Sequence, residues 1–146
     1  MTTPQRMQLS RAGGFRLQAT SHKLNGLRCI KVDRSTRWGN PYRVGEMVDR
    51  AMVRRWGWKF SRPGFEFVSM SAAIAVRKFA HCLFWDQALH DYVRRELGGR
   101  NLACWCAPDQ PCHVTPLLWI ANSTREEISK LAREIDEDIM TARIFQ

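Results

Sequence analysis

Three cysteines and a histidine lie within ten residues of this chain and form its densest group of soft metal ligands. The segment from Cys104 to His113 is Cys-Trp-Cys-Ala-Pro-Asp-Gln-Pro-Cys-His. Zinc binds Cys and His side chains at tetrahedral positions, so Cys104, Cys106, Cys112 and His113 are candidate ligands. Their spacing is unusual, because paired zinc-binding cysteines commonly have about two to four residues between them. In an extended chain, Cys104 and Cys106 would still face the same side and share a metal.

The same segment is also compatible with a reactive thiol or with a structural role. As a nucleophile, Cys106 would react as a thiolate, and His113 at a helix start would lower its pKa or act as general base. As structural residues, the cysteines would be small buried side chains, since free cysteine is among the most buried residue types. The sequence leaves these three roles open. We expect Cys106 to matter most, because it ends a predicted strand, whereas Cys104 lies inside it.

A second group of candidate residues lies in a predicted loop that includes Trp-Gly-Asn-Pro-Tyr. Arginine can hold a phosphate, asparagine offers a donor and an acceptor, an aromatic ring can stack on a base, and glycine lets a ligand approach the backbone. We expect substrate binding by Arg34, Arg37, Trp38, Asn40 and Tyr42. Asn40 is also a candidate catalytic residue. The alternative is a rigid turn in which Asn40 bonds to its own backbone and Trp38 covers the core.

Basic residues are concentrated in the first part of the chain. The 146 residues include 23 Lys and Arg against 14 Asp and Glu, a net charge of +9. Residues 1–62 hold 14 basic and 3 acidic side chains, a net charge of +11. Several of these basic residues alternate with aromatic ones, a mixture that suits phosphates and stacked bases. We therefore expect a nucleic acid or nucleotide partner, although a basic surface that serves only solubility is the simpler alternative.

Composition and length exclude several classes of protein. A chain of this length forms one domain, and 45% hydrophobic with 25% charged residues is typical of a globular protein rather than a disordered one. There is no apolar run of about 18 residues and no secretory signal at the start, so we expect a cytoplasmic protein without a membrane partner. The five cysteines are an odd number, and a reducing compartment argues against a disulfide framework.

The pattern of the chain predicts a small single-domain α/β layer fold with a short sheet flanked by helices. Residues 1–14 are expected to form a flexible arm, and residues 15–146 a single domain with a C-terminal helix. The predicted strands are 27–33 and 101–106, with weaker support for 15–19. The predicted helices are 46–58, 71–97 with a break near Trp85, 114–122, and one that begins at Ser123 with Glu126 in a capping box.

Both candidate loops directly follow predicted strands. Ligands in open α/β sheets lie outside the carboxyl ends of the strands, so we expect the two loops to form one pocket there.

The two motifs together resemble an uncharacterised phage and bacterial family catalogued as domain of unknown function 4326. The resemblance rests on Trp-Gly-Asn-Pro-Tyr at 38–42, Leu-Gly-Gly-Arg-Asn-Leu-Ala-Cys-Trp-Cys-Ala-Pro at 97–108 and Pro-Cys-His at 111–113. It covers roughly Leu27 to Asn122 and implies a compact domain in which both motifs meet in one site, without implying a reaction. Arg100 stands where the family usually has Lys and is a further candidate for substrate binding, although Arg for Lys keeps charge and not phosphate geometry. Residues 59–70 look like an insertion.

Our leading hypothesis is a small enzyme that acts on a nucleotide or nucleic-acid substrate. Arg37 would hold phosphate, Asn40 would orient a base or ribose, and the Cys/His cluster would supply a thiolate or a metal-bound water. One alternative is a non-enzymatic nucleic-acid-binding module, phage encoded, braced by the Cys/His cluster or by zinc. Another is an inhibitor of a protein partner, for which six tryptophans would supply contact residues.

Overall fold

The computed structural model describes residues 2–43, 45 and 72–137. Within these ranges the elements are β1 (Arg6–Gln8), α1 (Leu17–Asn25), β2 (Cys29–Lys31), α2 (Ala72–Trp85), α3 (Gln87–Leu97), β3 (Asn101–Cys104), α4 (Val114–Asn122) and α5 (Arg125–Glu137). The predicted helix 46–58 and the suggested insertion 59–70 lie outside the described residues.

Three short strands form a parallel sheet in the order β1-β3-β2. Leu102 of the central strand pairs with Arg6 on one side and with Ile30 on the other. Every residue of β3 is buried, as expected for a central parallel strand that is covered on both faces. Parallel strands end at the same edge, so the chain leaves β2 and β3 side by side. The predicted small α/β domain is confirmed.

The first strand lies within the segment that the sequence assigned to a flexible arm. Met7 of β1 pairs with Ala103, and Met7 and Leu9 are buried in a small cluster with Cys29. The backbone continues this pairing, because the Leu9 N–H donates to the Cys104 carbonyl at 2.8 Å. The expectation of an arm without regular structure over 1–14 is therefore wrong at residues 6–8, where pairing with β3 orders the chain.

The weakly supported strand at 15–19 is also wrong, because α1 begins at Leu17. The helix ends at Gly26, whose φ of 78° is accessible to glycine and whose N–H donates to the His22 carbonyl at 2.8 Å. The Gln18 side chain holds the helix on β2 through hydrogen bonds to both the N–H and the carbonyl of Cys29. The better supported strands are confirmed in shortened form, as β2 and β3.

The remaining helices follow the predicted order. The break near Trp85 is present, and Asp86 caps α3 by accepting a hydrogen bond from the Leu89 N–H at 3.2 Å. Helix α4 has the predicted bounds. The capping box of α5 is one residue later than predicted: Thr124 Oγ1 accepts from the Glu127 N–H at 3.2 Å, and Glu127 Oε2 accepts from the Thr124 N–H at 2.8 Å.

Helices α2 to α5 pack around the main core, where Phe79, Leu83, Leu102, Leu117 and Ile120 are almost completely buried. The strand ends that carry both motifs thus rest on a solid apolar layer. In the part of the chain that the structure describes, no helix combines the length and apolar character needed to cross a membrane.

A candidate thiol site at the strand ends

A cavity of about 440 Å³ lies at the carboxyl ends of β2 and β3. Arg34 and Asn40 line it from the loop that contains Trp-Gly-Asn-Pro-Tyr. Cys106 and Cys112 line it from the cysteine segment, and Ala75 lines it from α2. The prediction that the two loops share one pocket is confirmed. Because both loops leave adjacent parallel strands, sequence motifs about 65 residues apart meet at a single edge of the sheet.

Three cysteines converge on the wall of this cavity. The sulfur atoms of Cys104, Cys106 and Cys112 all lie within 4.8 Å of one another. Cys104 ends β3, Cys106 lies in the bend that follows, and Cys112 returns to them just before α4. The sulfurs of Cys104 and Cys112 are 2.8 Å apart, and the Cys106 N–H donates to the Cys104 sulfur at 3.4 Å. Cys104 and Cys112 are buried, whereas Cys106 is partly exposed.

The three thiols differ sharply in acidity. Hydrogen bonds from the Cys104 and Cys112 thiols lower the pKa of Cys106 to about 2 although burial opposes this shift, and the charge of Arg6 acts in the same direction as the hydrogen bonds. Its hydrogen bond with Cys106 raises the pKa of Cys104, and hydrogen bonding with Cys104 and Cys106 raises the pKa of Cys112 well above its ordinary value. The group therefore carries one thiolate, at Cys106, with two thiols beside it.

His113 lies beside the cluster and does not belong to the group of three sulfurs. Its Nε2 donates to the Val32 carbonyl at 2.6 Å, which leaves Nδ1 without a proton and 3.8 Å from the Cys112 sulfur. Burial lowers the pKa of His113, although the bond to Val32 opposes this shift. The imidazole is therefore neutral, and it ties the start of α4 to the end of β2.

An arginine from β1 holds the turn that carries the cysteines. The Arg6 guanidinium donates to the carbonyls of Cys106, Ala107 and Gln110. These bonds span the turn between Cys106 and Cys112 and fix the distance across which the two thiols face each other. Sequence reasoning missed this role because it treated the segment around Arg6 as an arm, and nothing local in the sequence indicates the contact.

Asn40 lines the cavity with an amide that is already bonded. Its Oδ1 accepts from the Tyr42 N–H at 2.9 Å, and its Nδ2 donates to the Ala75 carbonyl at 3.1 Å. The Arg34 guanidinium donates to the carbonyls of Asn40 and Tyr42 from the other side. These contacts favour the rigid-turn alternative, in which Asn40 and Arg34 position the loop against α2.

The glycine of the same motif serves the chain itself rather than a ligand. A Cβ atom on Gly39 would lie 2.5 Å from the Arg34 Cα and 2.7 Å from the Asp33 carbonyl oxygen. Real Cβ atoms do not approach backbone atoms this closely, so the loop can fold back on the end of β2 only with glycine at this position.

Four of the residues predicted to bind substrate do not line the cavity. The Trp38 ring stacks on Tyr92 of α3 at 5.2 Å between centroids, and the Arg37 guanidinium lies 5.6 Å from the centroid of the Tyr92 ring. The Tyr42 hydroxyl is 3.2 Å from the Cys82 sulfur inside the core. Arg100 precedes β3 at the opposite end of the sheet and donates to the carbonyls of Glu96 and Gly98. The site proposed below uses none of these four.

Asp33 and Trp105 line the cavity and were absent from the sequence-based set. Trp105 donates from Nε1 to Asp33 Oδ2 at 2.7 Å, across 72 positions of sequence. Burial alone would raise the pKa of Asp33, but hydrogen bonds from Ser35 and Trp105 outweigh it and lower the pKa. The ionised carboxylate therefore fixes the indole. A polar residue directly after a predicted strand was the available signal for Asp33, and it was overlooked.

Comparison with known proteins adds a family and no activity. A family model described as Domain of unknown function (DUF4326) matches residues 16–123. No curated protein and no solved structure matches the chain.

Proposed function

This chain belongs to the DUF4326 family, and from its own site we propose that it is a small enzyme acting on a nucleotide or nucleic-acid substrate. Its reactive centre is a zinc ion held by Cys104, Cys106 and Cys112. One observation carries the proposal, namely three cysteine sulfurs within 4.8 Å of one another on the wall of a cavity.

The distances support a shared metal. Sulfur atoms bound to one tetrahedral zinc lie roughly 3.8 Å apart, given a Zn–S bond of about 2.3 Å. Cys104 and Cys112 need to part by about 1 Å from their 2.8 Å separation to reach that spacing. Zinc would replace the protons of the Cys104 and Cys112 thiols, since metal binding releases protons from its ligands.

The ligand number supports a catalytic site over a bracing one. Catalytic zinc typically has three protein ligands and a fourth position for water or substrate, whereas structural zinc has four protein ligands. His113 would complete a closed site, and its unprotonated Nδ1 lies 3.8 Å from the Cys112 sulfur, but it does not belong to the group of three sulfurs that all lie within 4.8 Å of one another. Zinc with three cysteine ligands can activate water for attack on a nucleobase carbon that bears an amino group. We therefore propose hydrolytic deamination, in which a C–O bond forms, the C–N bond breaks and ammonia leaves.

Charge and volume support the substrate class. Residues 1–62 carry a net charge of +11, and a positive surface attracts phosphates at long range. The cavity of about 440 Å³ lies within the roughly 300 to 1,000 Å³ that small-molecule sites occupy. A base with its sugar is of suitable size for such a site.

A second candidate is a metal-free enzyme in which Cys106 is the nucleophile. It is favoured by the stabilised thiolate, whose pKa is held at about 2 by its two neighbours. A thiolate stabilised this strongly is a poor attacking group, because intrinsic nucleophilicity falls as the pKa falls. A cysteine that binds zinc must be deprotonated, so a low pKa does not hinder metal binding, and we place the zinc centre first.

Metal analysis and thiol counting separate the two candidates. Protein purified without chelator should hold one zinc per chain, and Cys106→Ser and Cys112→Ser should each lose it. Cys29→Ala is the matched control, because Cys29 is another buried thiol that lies outside the cluster and whose pKa burial raises to about 11. This variant should keep its zinc.

Incubation with nucleoside monophosphates and short single-stranded oligonucleotides, followed by mass spectrometry, tests the activity. We expect a mass change that corresponds to the exchange of an amino group for oxygen, dependent on zinc and absent in Cys106→Ser. If native protein is metal-free and has one fast-reacting thiol, the zinc centre is wrong and the second candidate, with Cys106 as the nucleophile, takes its place. Metal-free protein without a reactive thiol or a product would leave only the structural role of the cysteines.

A further inference from the structure

We propose that Trp105 is a stacking platform for an unpaired nucleobase at the edge of the cavity, so that the substrate is single-stranded nucleic acid. This inference rests on the proposed function and narrows its substrate class. Trp105 stands between two proposed zinc ligands, Cys104 and Cys106, and lines the same cavity. A base stacked on its ring would lie beside the reactive centre.

The exposure of this ring is unusual in the described part of the chain. Trp105 is 43% exposed, and Leu24 is the other large hydrophobic side chain exposed there. Core packing does not account for a tryptophan that keeps so much of its surface in water. Large aromatic side chains with one polar end are typical of binding surfaces, where a partner covers the apolar face.

Polar contacts hold the exposed ring in one orientation. The indole Nε1 donates to Asp33 Oδ2 at 2.7 Å, and Lys31 Nζ lies 3.4 Å from the same oxygen. Asp33 is itself fixed by hydrogen bonds from the backbone and the hydroxyl of Ser35. A ring that is already ordered loses little side-chain entropy on binding, which favours stacking.

Positive charge surrounds the platform. The exposed Arg11 guanidinium lies over the Trp105 ring at 5.0 Å from its centroid, and Lys31 lies beside Asp33. A base that takes the place of Arg11 over the ring would leave the guanidinium beside the adjoining phosphate. Alternation of cationic groups with a stacking ring is the arrangement that binds single strands without sequence preference.

The position of the ring favours a single strand over a duplex. Stacking on a protein ring requires a base that is free of its own neighbours, and bases in a duplex are paired and stacked on each other. A protein partner would also bury a tryptophan, but cationic neighbours favour a polyanion.

Binding of labelled oligonucleotides to the full chain tests the platform. Fluorescence anisotropy with a 12-nucleotide oligo(dT) and with a duplex of equal length would compare wild type, Trp105→Leu and Trp105→Phe. Both substitutions remove the hydrogen bond to Asp33, and only phenylalanine keeps a ring, so the difference between them isolates stacking. We expect Trp105→Leu to weaken single-strand binding about 10-fold and Trp105→Phe to recover most of the loss.

Salt dependence separates stacking from charge. Trp105→Leu should leave the slope of log affinity against log salt unchanged, because no phosphate contact is lost. Arg11→Gln should reduce that slope by about 0.7, the contribution of one phosphate contact on a single strand. Duplex binding should be weaker than single-strand binding and insensitive to the ring at position 105.

The outcomes distinguish the platform from the function on which it rests. Equal single-strand affinity for Trp105→Leu and Trp105→Phe would overturn the platform, and so would duplex binding as tight as single-strand binding. Zinc content and melting temperature of both variants show whether the fold and the centre persist. If wild-type protein binds no oligonucleotide even at low salt, the platform falls together with the nucleic-acid part of the proposed function, while zinc analysis still decides the centre.

Discussion

Replacing Asn40 by alanine tests whether this residue positions the loop or contacts substrate. Asn40 is only 4% exposed, and its amide joins the loop to α2. The substitution removes the Oδ1 atom that accepts from the buried Tyr42 N–H, which costs about 1 to 3 kcal/mol. The Ala75 carbonyl retains its bond within the helix, so losing the second bond costs about 1 kcal/mol. We expect a loss of about 2 to 4 kcal/mol in the free energy of unfolding.

The expected loss is large enough to measure by thermal unfolding. For a chain of about this size, each kcal/mol shifts the melting temperature by roughly 2 to 4 °C, so Asn40→Ala should melt about 5 to 15 °C lower. Asn122→Ala is a matched control, because the Asn122 amide also accepts from an N–H, that of Gly99, and donates to a carbonyl, that of Leu118, both at 2.9 Å. Those bonds are exposed, so water can replace them, and we expect a loss below about 1 kcal/mol.

The result also separates the two roles of Asn40. If the residue only positions the loop, zinc content and activity at 20 °C should change little in the fraction that remains folded. A melting temperature close to that of wild type, combined with loss of activity, would refute this reasoning. Asn40 would then act on the substrate directly, which is the first expectation from the sequence.

Three further substitutions follow from the structure. Gly39→Ala should lower the free energy of unfolding by at least about 2 kcal/mol in a melting experiment, because the new Cβ would meet the Arg34 backbone at 2.5 Å. Burial lowers the pKa of His90, so the free energy of unfolding should fall as the pH drops below about 6.5. The variant His90→Gln can still donate to the Leu83 carbonyl, and a pH series of unfolding curves should show a smaller fall for this variant. Arg6→Gln should weaken zinc binding about 10-fold or more in a competition with a chelating dye, because it releases the turn that carries the ligands.

The arrangement of the motifs was predictable because it follows from chain order. Two loops that each follow a strand of one parallel sheet must emerge at the same edge, whatever the residues between them. Asn40 and Cys106 can therefore be placed in one pocket without any knowledge of packing. The convergence of Cys104 and Cys106 was predicted from an extended chain over 101–106, but β3 ends at Cys104 and Cys106 lies in the bend that follows.

The contacts that define the site were not predictable, because they join distant residues. Strand β1 has three residues, and only its pairing with β3 distinguishes it from a loop. The bond between Trp105 and Asp33 spans 72 positions, and a tryptophan after a strand is equally compatible with the core. Asn40 is the opposite case, because its residue type suggested a contact with substrate, whereas both ends of its amide form hydrogen bonds within the protein.

The site draws on two parts of the chain, and each part contributes both to the proposed metal centre and to the proposed substrate platform. Residues 16–123, which match the family, include all three clustered thiols, Asp33 and Trp105, whereas Arg6 and Arg11 precede the match. Removing the first 15 residues would not separate the metal centre from the platform, because it would strip β1 from β3 and uncover the buried Ala103 and its edge of the sheet. Single substitutions at Arg6 and Arg11 in the full chain leave that edge paired. They are therefore the way to distinguish a fault in the proposed metal centre from a fault in the proposed substrate binding.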